Sequence, residues 1–342
     1  MARSKVRRRD PVQSARLAGL RYGRGDKGIQ RRRAGHGWIF LKASGARVSN
    51  PSEIRRILSL AIPPAWTRVW IAPHRCEHIQ AIGYDARGRK QYRYHPDFRS
   101  VRDSNKFSHI LDFAAVLPKV RARVEEDLKA KSLSKQRVLA AVVRLLDLTA
   151  IRVGNSEYAR SNDSFGLTTL VNKHVKVAKS KLTFHFKGKS GVEHCVDLEN
   201  RRLAAIIRDC QDLPGQDLFQ YVDETGSVHK IRSEDVNAYI REISGGEFTA
   251  KDFRTWNGTR RAFVAFRELG PPASEAEGKA GVVRVVKEVA CELRNRPATC
   301  RKYYIHPTLI DAYLAGESFG RVRNSSRNEA RMIRLIKSFK TR

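Results

Sequence analysis

Acidic residues are scarce in this chain: 35 Asp and Glu stand against 67 Lys and Arg, a formal net charge of +32 over 342 residues. Such an excess repels itself unless a polyanion neutralises it, which makes nucleic acid the leading partner. No apolar run approaches the ~18 residues of a spanning helix. No lipidation motif is present, and the basic charge lies along the whole chain rather than on one amphipathic helix, so a membrane role is excluded. The five cysteines, Cys76, Cys195, Cys210, Cys291 and Cys300, lack paired metal-site spacing such as C-x-x-C and read as reduced thiols of a cytosolic protein. Met1 to Asp10 is basic with no apolar stretch, so no secretory signal is expected. Also missing are an internal repeat, a G-x-x-x-x-G-K-[ST] phosphate loop and a carboxylate cluster suited to Mg²⁺. Neither a nucleotide cofactor nor a metal is expected.

What is there divides into four stretches. Residues 1–27 are rich in Arg, Lys and Gly with few large apolar side chains, a composition that does not offset the entropy of ordering, and are expected to form a flexible basic arm. Within it Gly23, Gly25 and Gly28 match G-x-G-x-x-G, but no apolar strand precedes them and no helical pattern follows, so a dinucleotide site is excluded. Residues 28–100 are expected to form a small domain, with Trp38–Lys42, Arg68–Ala72, Ile79–Tyr84 and Gln91–His95 as short β-prone runs. Between the first two, Asn50, Pro51 and Glu53 read as N-cap, first-turn proline and capping-box acid. The helix they open carries Ile54, Ile57, Leu58 and Ala61 until Pro63 and Pro64 stop it.

Residues 101–320 turn largely helical. Ser134 caps a helix with Val138, Leu139, Val142, Val143, Leu145 and Leu146 at helical spacing. A hairpin of Leu182–Phe186 and Glu193–Asp197 follows, its loop Lys187, Gly188, Lys189, Ser190 and Gly191. Helices resume over Thr259–Leu269 and from Ser274, with Glu277 three residues on, to about Arg294. Residues 321–342 form a basic tail, either a terminal helix or a DNA-contacting extension. The fold class is α+β: a small mixed β-rich domain, then a mainly helical one.

Four segments of the second domain carry residues suited to chemistry: Ile151 to Asn155, the hairpin loop with Lys189, Lys251 to Arg254, and Asn295 to His306 with its paired tyrosines among cations. Taken singly, each has a bland explanation, since arginines cap helices, hairpin lysines are solvated and tyrosines pack. A tyrosine used against a phosphate must shed a proton ordinarily held to about pH 10, which calls for fixed positive charge around its target. Adjacent Tyr303 and Tyr304 on a helix point about 100° apart, so only one of them faces that target.

In this order the four segments resemble the type IB DNA topoisomerases, specifically the small poxvirus-like form found in bacteria. Leu148 to Leu170, with Arg152, Val153, Gly154, Asn155, Glu157, Tyr158 and then Ser164 to Thr169, is similar to the family's first catalytic-arginine segment. Lys251, Asp252, Phe253, Arg254, Thr255 and Trp256 resemble the second, and Cys300 to Pro307 the nucleophile segment. The resemblance runs from about residue 28 to 315.

It implies a catalytic domain of the type IB topoisomerase and tyrosine recombinase kind, two lobes clamping duplex DNA, and relaxation of supercoils without ATP or metal. Tyr304 would form a transient 3′-phosphotyrosyl link, with Tyr303 in packing or a backbone contact. Arg152 and Arg254 would meet the non-bridging oxygens with planar bidentate donors. Lys189 would protonate the leaving 5′ oxygen, Lys187 being its competitor or a phosphate contact, and Lys251 would act as a supporting cation or proton relay. Asn295 stands where many members carry a histidine, and its amide can donate the same bond without titrating. Gln91, Tyr92 and Tyr94 match DNA-touching positions, strand alternation placing the two tyrosines on one face. The implied enzyme is a monomeric protein of the cytoplasm, associated with the nucleoid, and its partner is double-stranded DNA. A tyrosine recombinase is the alternative enzyme, although its second arginine usually sits in H-x-x-R where this chain has Lys251 to Arg254. A non-catalytic DNA-packaging protein would account for charge but not for motif order.

Overall fold

Residues 11–23, 27–320 and 325–339 are described by the computed structural model. The chain opens with α1 (Pro11–Leu17), β1 (Ile29–Ala34), β2 (Gly37–Leu41), α2 (Pro51–Ser59), β3 (Thr67–Ile71), β4 (Ile79–Tyr84) and β5 (Lys90–Tyr94). The strands form one antiparallel sheet in the order β2-β1-β3-β4-β5. Ile29, Phe40, Val48, Ile57, Val69, Ile71 and Ala81 make its buried core.

Asn50 caps α2 by accepting from Ser52 N–H at 2.9 Å, but Glu53 completes no capping box because its carboxylate takes the guanidinium of Arg56 instead. Leu58, placed on the apolar stripe, points to solvent while Ile57 is buried. β1 is an element that composition hid. Its Arg31 is held by the carbonyls of Ile62, Pro63 and Trp66 and lies 4.1 Å over the Trp38 ring, so a run of three arginines becomes a strand through contacts remote in sequence.

Part of the stretch read as a basic arm is also built into this unit. Ala15 of α1 is fully buried, Arg21 makes a parallel bridge with Glu77, and the Tyr22 ring stacks on His78 at 4.2 Å. Residues 1–10 and 24–26 of that stretch lie outside the described residues.

Of two units, one ends at Ser108 and the other begins at His109, within α3 (Pro96–Asp127). The second contains α4 (Lys135–Thr149), α5 (Ser156–Asn162), the antiparallel meander β6 (Val175–Ala178), β7 (Lys181–Lys187) and β8 (Glu193–Glu199), and α6 (Arg201–Gln211). After a two-stranded ribbon, β9 (Gln220–Val222) and β10 (Val228–Lys230), come α7 (Ser233–Ser244), α8 (Ala250–Leu269), α9 (Glu275–Glu292), α10 (Pro297–Tyr303), α11 (Pro307–Leu314) and α12 (Ser325–Phe339). α4 and α8 form the interior: α4 is buried from Val138 to Val143, and α8 contributes Phe253, Trp256, Phe263 and Phe266. α8 starts nine residues earlier than its apolar pattern suggests, at Ala250, and the N–H of its N-cap residue Thr249 donates to the Asp252 carboxylate at 2.8 Å. Arg254 thereby becomes an interior helical residue.

Within the region read as a basic tail, α12 packs Met332 and Ile336 into the core, and Arg121 joins Glu329 to Asp147 with 2.8 Å bonds to each. Residues 321–324 and 340–342 lie outside the description. Among the described residues no helix is long and apolar enough to cross a membrane.

Candidate active site

The chain leaves α4 through Ala150, whose left-handed backbone (φ 55°) turns it sharply and leaves the helix's last carbonyls open. The next residues cross the segment 166–169 at very short range. A Cβ on Gly166 would lie 2.6 Å from the Arg152 carbonyl oxygen and the Gly154 nitrogen, so only glycine permits the crossing. Leu167 N–H donates to Arg152 O at 2.9 Å and Thr168 N–H to Val153 O at 2.7 Å. Arg152 therefore projects from a backbone held on both sides. Asn155 is accounted for locally, as the N-cap of α5 accepting from Tyr158 N–H at 3.0 Å.

Arg254 approaches from α8 and is 5% exposed. Its two terminal nitrogens donate to the carbonyls of Ala150 and Leu293, the open ends of α4 and α9, where a cation is favoured by the helix dipoles. This differs from the fork expected to face a ligand: most of it serves the protein, and Nε is left over. The Arg254 guanidinium carbon also lies 5.3 Å from the centre of the Tyr304 ring. Burial pushes the Arg254 pKa down, while the tyrosine opposes that shift.

Beyond α9 the chain turns at Arg294 (φ 49°), and Asn295 N–H closes the turn on Ala290 O at 2.9 Å. Asn295 Oδ1 accepts from Arg152 Nη2 at 2.6 Å. Burial and the neighbouring Arg254 press the pKa of Arg152 down to about 10, which leaves it charged at neutral pH. Three donors, Arg152 Nη1, Arg254 Nε and Asn295 Nδ2, are buried with no acceptor among the described residues. Unpaired groups of this kind cost ~1–3 kcal/mol each, more when charged, and the non-bridging oxygens of a phosphate would satisfy them.

Tyr304 is the residue after the last turn of α10, not a helical neighbour of Tyr303 as the sequence suggested. Its carbonyl accepts from Thr259 Oγ1 at 3.1 Å, and a Cβ on Gly258 would meet that oxygen at 2.6 Å. Tyr303 is 36% exposed, with Lys302 5.4 Å from its ring centre, whereas Tyr304 is half-buried beneath Arg254. Thr259 and Gly258 were missed, although they continue the segment begun by Lys251.

Lys251, Lys187 and Lys189 are all exposed. Lys251 lies one turn before Arg254 on the same side of α8. Lys187 ends β7, its carbonyl accepting from Phe165 N–H at 2.8 Å, and Lys189 opens the tight turn at the hairpin tip.

His194 escaped the sequence reading altogether, its one signal being an inward position in the alternation of β8. Burial, then the charges of Arg152, Arg254 and Arg294, lower its pKa to about 4 from an ordinary 6.5. Below pH 6.5 the unfolded chain thus binds a proton that the folded one refuses, so stability should fall as pH drops from 6.5 toward 4. Melting His194→Phe beside the parent across that range should reveal a flatter pH dependence in the variant; parallel curves would contradict it.

In the N-terminal unit, Tyr92 and Tyr94 stack at 5.8 Å on one side of β5, Tyr92 being 41% exposed and Tyr94 lying against Phe98 at 5.5 Å. Gln91 is already engaged, donating to Asp85 in the β4–β5 turn at 3.0 Å.

Residues 95–317 match the model for the eukaryotic DNA topoisomerase I catalytic core, and residues 37–85 that for the N-terminal domain of bacterial DNA topoisomerase IB. DNA topoisomerase 1B of Acanthamoeba polyphaga mimivirus is 32% identical over 321 residues, 92% of this chain and 96% of that protein. DNA topoisomerase 1B of vaccinia virus (strain Copenhagen) is 23% identical, over 67% of this chain and 71% of its own. Among solved structures, the XerH site-specific recombinase bound to difH substrate in a pre-cleavage complex aligns at a TM-score of 0.34 and 16% identity, over 55% of this chain and 48% of that one.

Proposed function

The chain belongs to the type IB DNA topoisomerase family, and from that premise we propose that it relaxes supercoiled duplex DNA by transient cleavage of one strand at Tyr304, without ATP or metal. The observation that carries this reading is the set of buried, unpaired donors on Arg152, Arg254 and Asn295 beside that tyrosine. The tyrosine oxygen bonds to phosphorus as the bond to the 5′ oxygen breaks. The charge that builds on the non-bridging oxygens falls on donors already in position, the largest single contribution an enzyme usually makes. Lys189 gives its proton to the leaving oxygen, and the phenolic proton passes to water. The nicked duplex rotates, and attack by the 5′ hydroxyl restores the strand, so the phosphodiester energy is kept in the covalent link and no ATP is needed. Lys251 and Lys187 supply further cations, and Tyr92 and Tyr94 contact the duplex as the N-terminal unit's share of binding.

Relaxation of supercoiled plasmid in EDTA without nucleotide, quenched with denaturant to trap protein–DNA adduct, is the direct test. Relaxed plasmid and a trapped adduct are expected. A strict need for Mg²⁺ or ATP in single-turnover cleavage would contradict the reading. Because +32 of net charge makes binding mainly a matter of phosphate contacts, duplex affinity should fall steeply and log-linearly with salt; an affinity insensitive to salt would contradict that.

A further inference from the structure

The side chain at the root of the Lys189 hairpin has no place in the mechanism so far. His194 is 3% exposed. Its ring lies flat on Phe186, centres 4.7 Å apart and planes at 12°, and the Gly188 backbone presses on its other parts: a Cβ there would be 2.5 Å from both Cδ2 and Nε2. Only glycine fits at 188, and Lys189 comes next. The imidazole thus decides where the backbone leading into Lys189 can lie.

Packing alone would be served by a phenylalanine, which would stack on Phe186 equally well. His194 instead buries Nε2 with no hydrogen-bond partner among the described residues, at a cost of ~1–3 kcal/mol. Burial, and after it the charges of Arg152, Arg254 and Arg294, keep the ring uncharged. In a field that positive, an uncharged ring nitrogen is better placed to accept a hydrogen bond than to donate one. The cation on the adjoining loop is Lys189, whose side chain makes no hydrogen bond among the described residues.

We propose that His194 is a positioning residue for proton donation: with DNA bound, its Nε2 accepts a hydrogen bond from the Lys189 ammonium and holds that group against the leaving 5′ oxygen. This rests on the reading of Lys189 as the proton donor. The proton moves from Lys189 to the 5′ oxygen while the tyrosyl–phosphorus bond forms and the phosphorus–oxygen bond breaks; the imidazole neither gains nor loses one.

The test is single-turnover cleavage by His194→Phe, Lys189→Ala and the double variant, each on a duplex with an ordinary 5′ oxygen and on one with a 5′-bridging sulfur, which leaves without needing a proton. His194→Phe keeps the stack on Phe186 and removes Nε2. It should cleave the oxygen substrate about tenfold more slowly, cleave the sulfur substrate near the parent rate, and add nothing to Lys189→Ala. Equal slowing on both substrates, parent rates on both, or an added loss in the double variant would overturn the inference. If Lys189→Ala is rescued by sulfur and His194→Phe is not, the inference alone fails. If Lys189→Ala is itself not rescued, the reading of Lys189 falls and this one with it. Should His194→Phe lose cooperative melting, His194→Leu is judged by the same rates.

Discussion

Tyr304→Phe is expected to bind supercoiled plasmid and leave it supercoiled, with no covalent adduct after denaturation. The substitution removes one oxygen and nothing else: the ring stays beneath Arg254, and the backbone keeps its bonds from Thr259 and to Cys300. Stability should change by no more than the loss of one hydrogen bond, ~1–3 kcal/mol when the partner is charged. Covalent chemistry, by contrast, should disappear entirely, because the hydroxyl removed is that of the ring beneath Arg254. Tyr303→Phe should relax plasmid at close to the parent rate, since that ring faces solvent with Lys302 beside it. The opposite pattern, adduct from Tyr304→Phe and none from Tyr303→Phe, would exchange the two assignments.

Asn295→Ala should lower the cleavage rate about a hundredfold with little effect on duplex binding, the usual consequence of removing one donor from a developing oxyanion. The orientation of the amide supports this. Arginine has no acceptor, so the atom facing Arg152 Nη2 must be the amide oxygen, and the amide nitrogen is left pointing elsewhere, buried and unpaired. Alanine deletes that donor and also the anchor of Arg152. Asn295→Asp separates the two effects: it keeps an acceptor for Arg152, puts a negative charge where a phosphate must come, and should be slower still. Asn295→His retains activity, one ring nitrogen accepting from Arg152 and the other donating, but acquires a titration that the parent lacks. If Asn295→Ala cleaves at the parent rate, neither its donor nor its bond to Arg152 matters to cleavage, and the residue is structural.

How much of this was legible beforehand depended on the range of the forces involved. β4 is where its β-prone composition placed it, Ser134 caps α4, and the hairpin pairs as expected, because local composition, side-chain period and cap chemistry are properties of neighbouring residues. Glu53 misled for the same reason: its local pattern suits a capping box, but Arg56, held also by the Ala72 carbonyl, takes the carboxylate.

The sequence by itself determined the family and the strongly basic composition, and through the family resemblance it singled out Arg152, Arg254, Asn295 and Tyr304 as the groups to look for. Only the tertiary structure decided what those groups do to one another. Arg254 gives most of its fork to carbonyls 104 and 39 residues away, Asn295 leaves its buried donor unpaired because Arg152, 143 residues earlier, claims its oxygen, and His194 is held uncharged first by burial and then by the charges of Arg152, Arg254 and Arg294. Composition and periodicity register which groups a chain carries, but an unpaired buried donor exists only once folding has removed water and brought its competitors together.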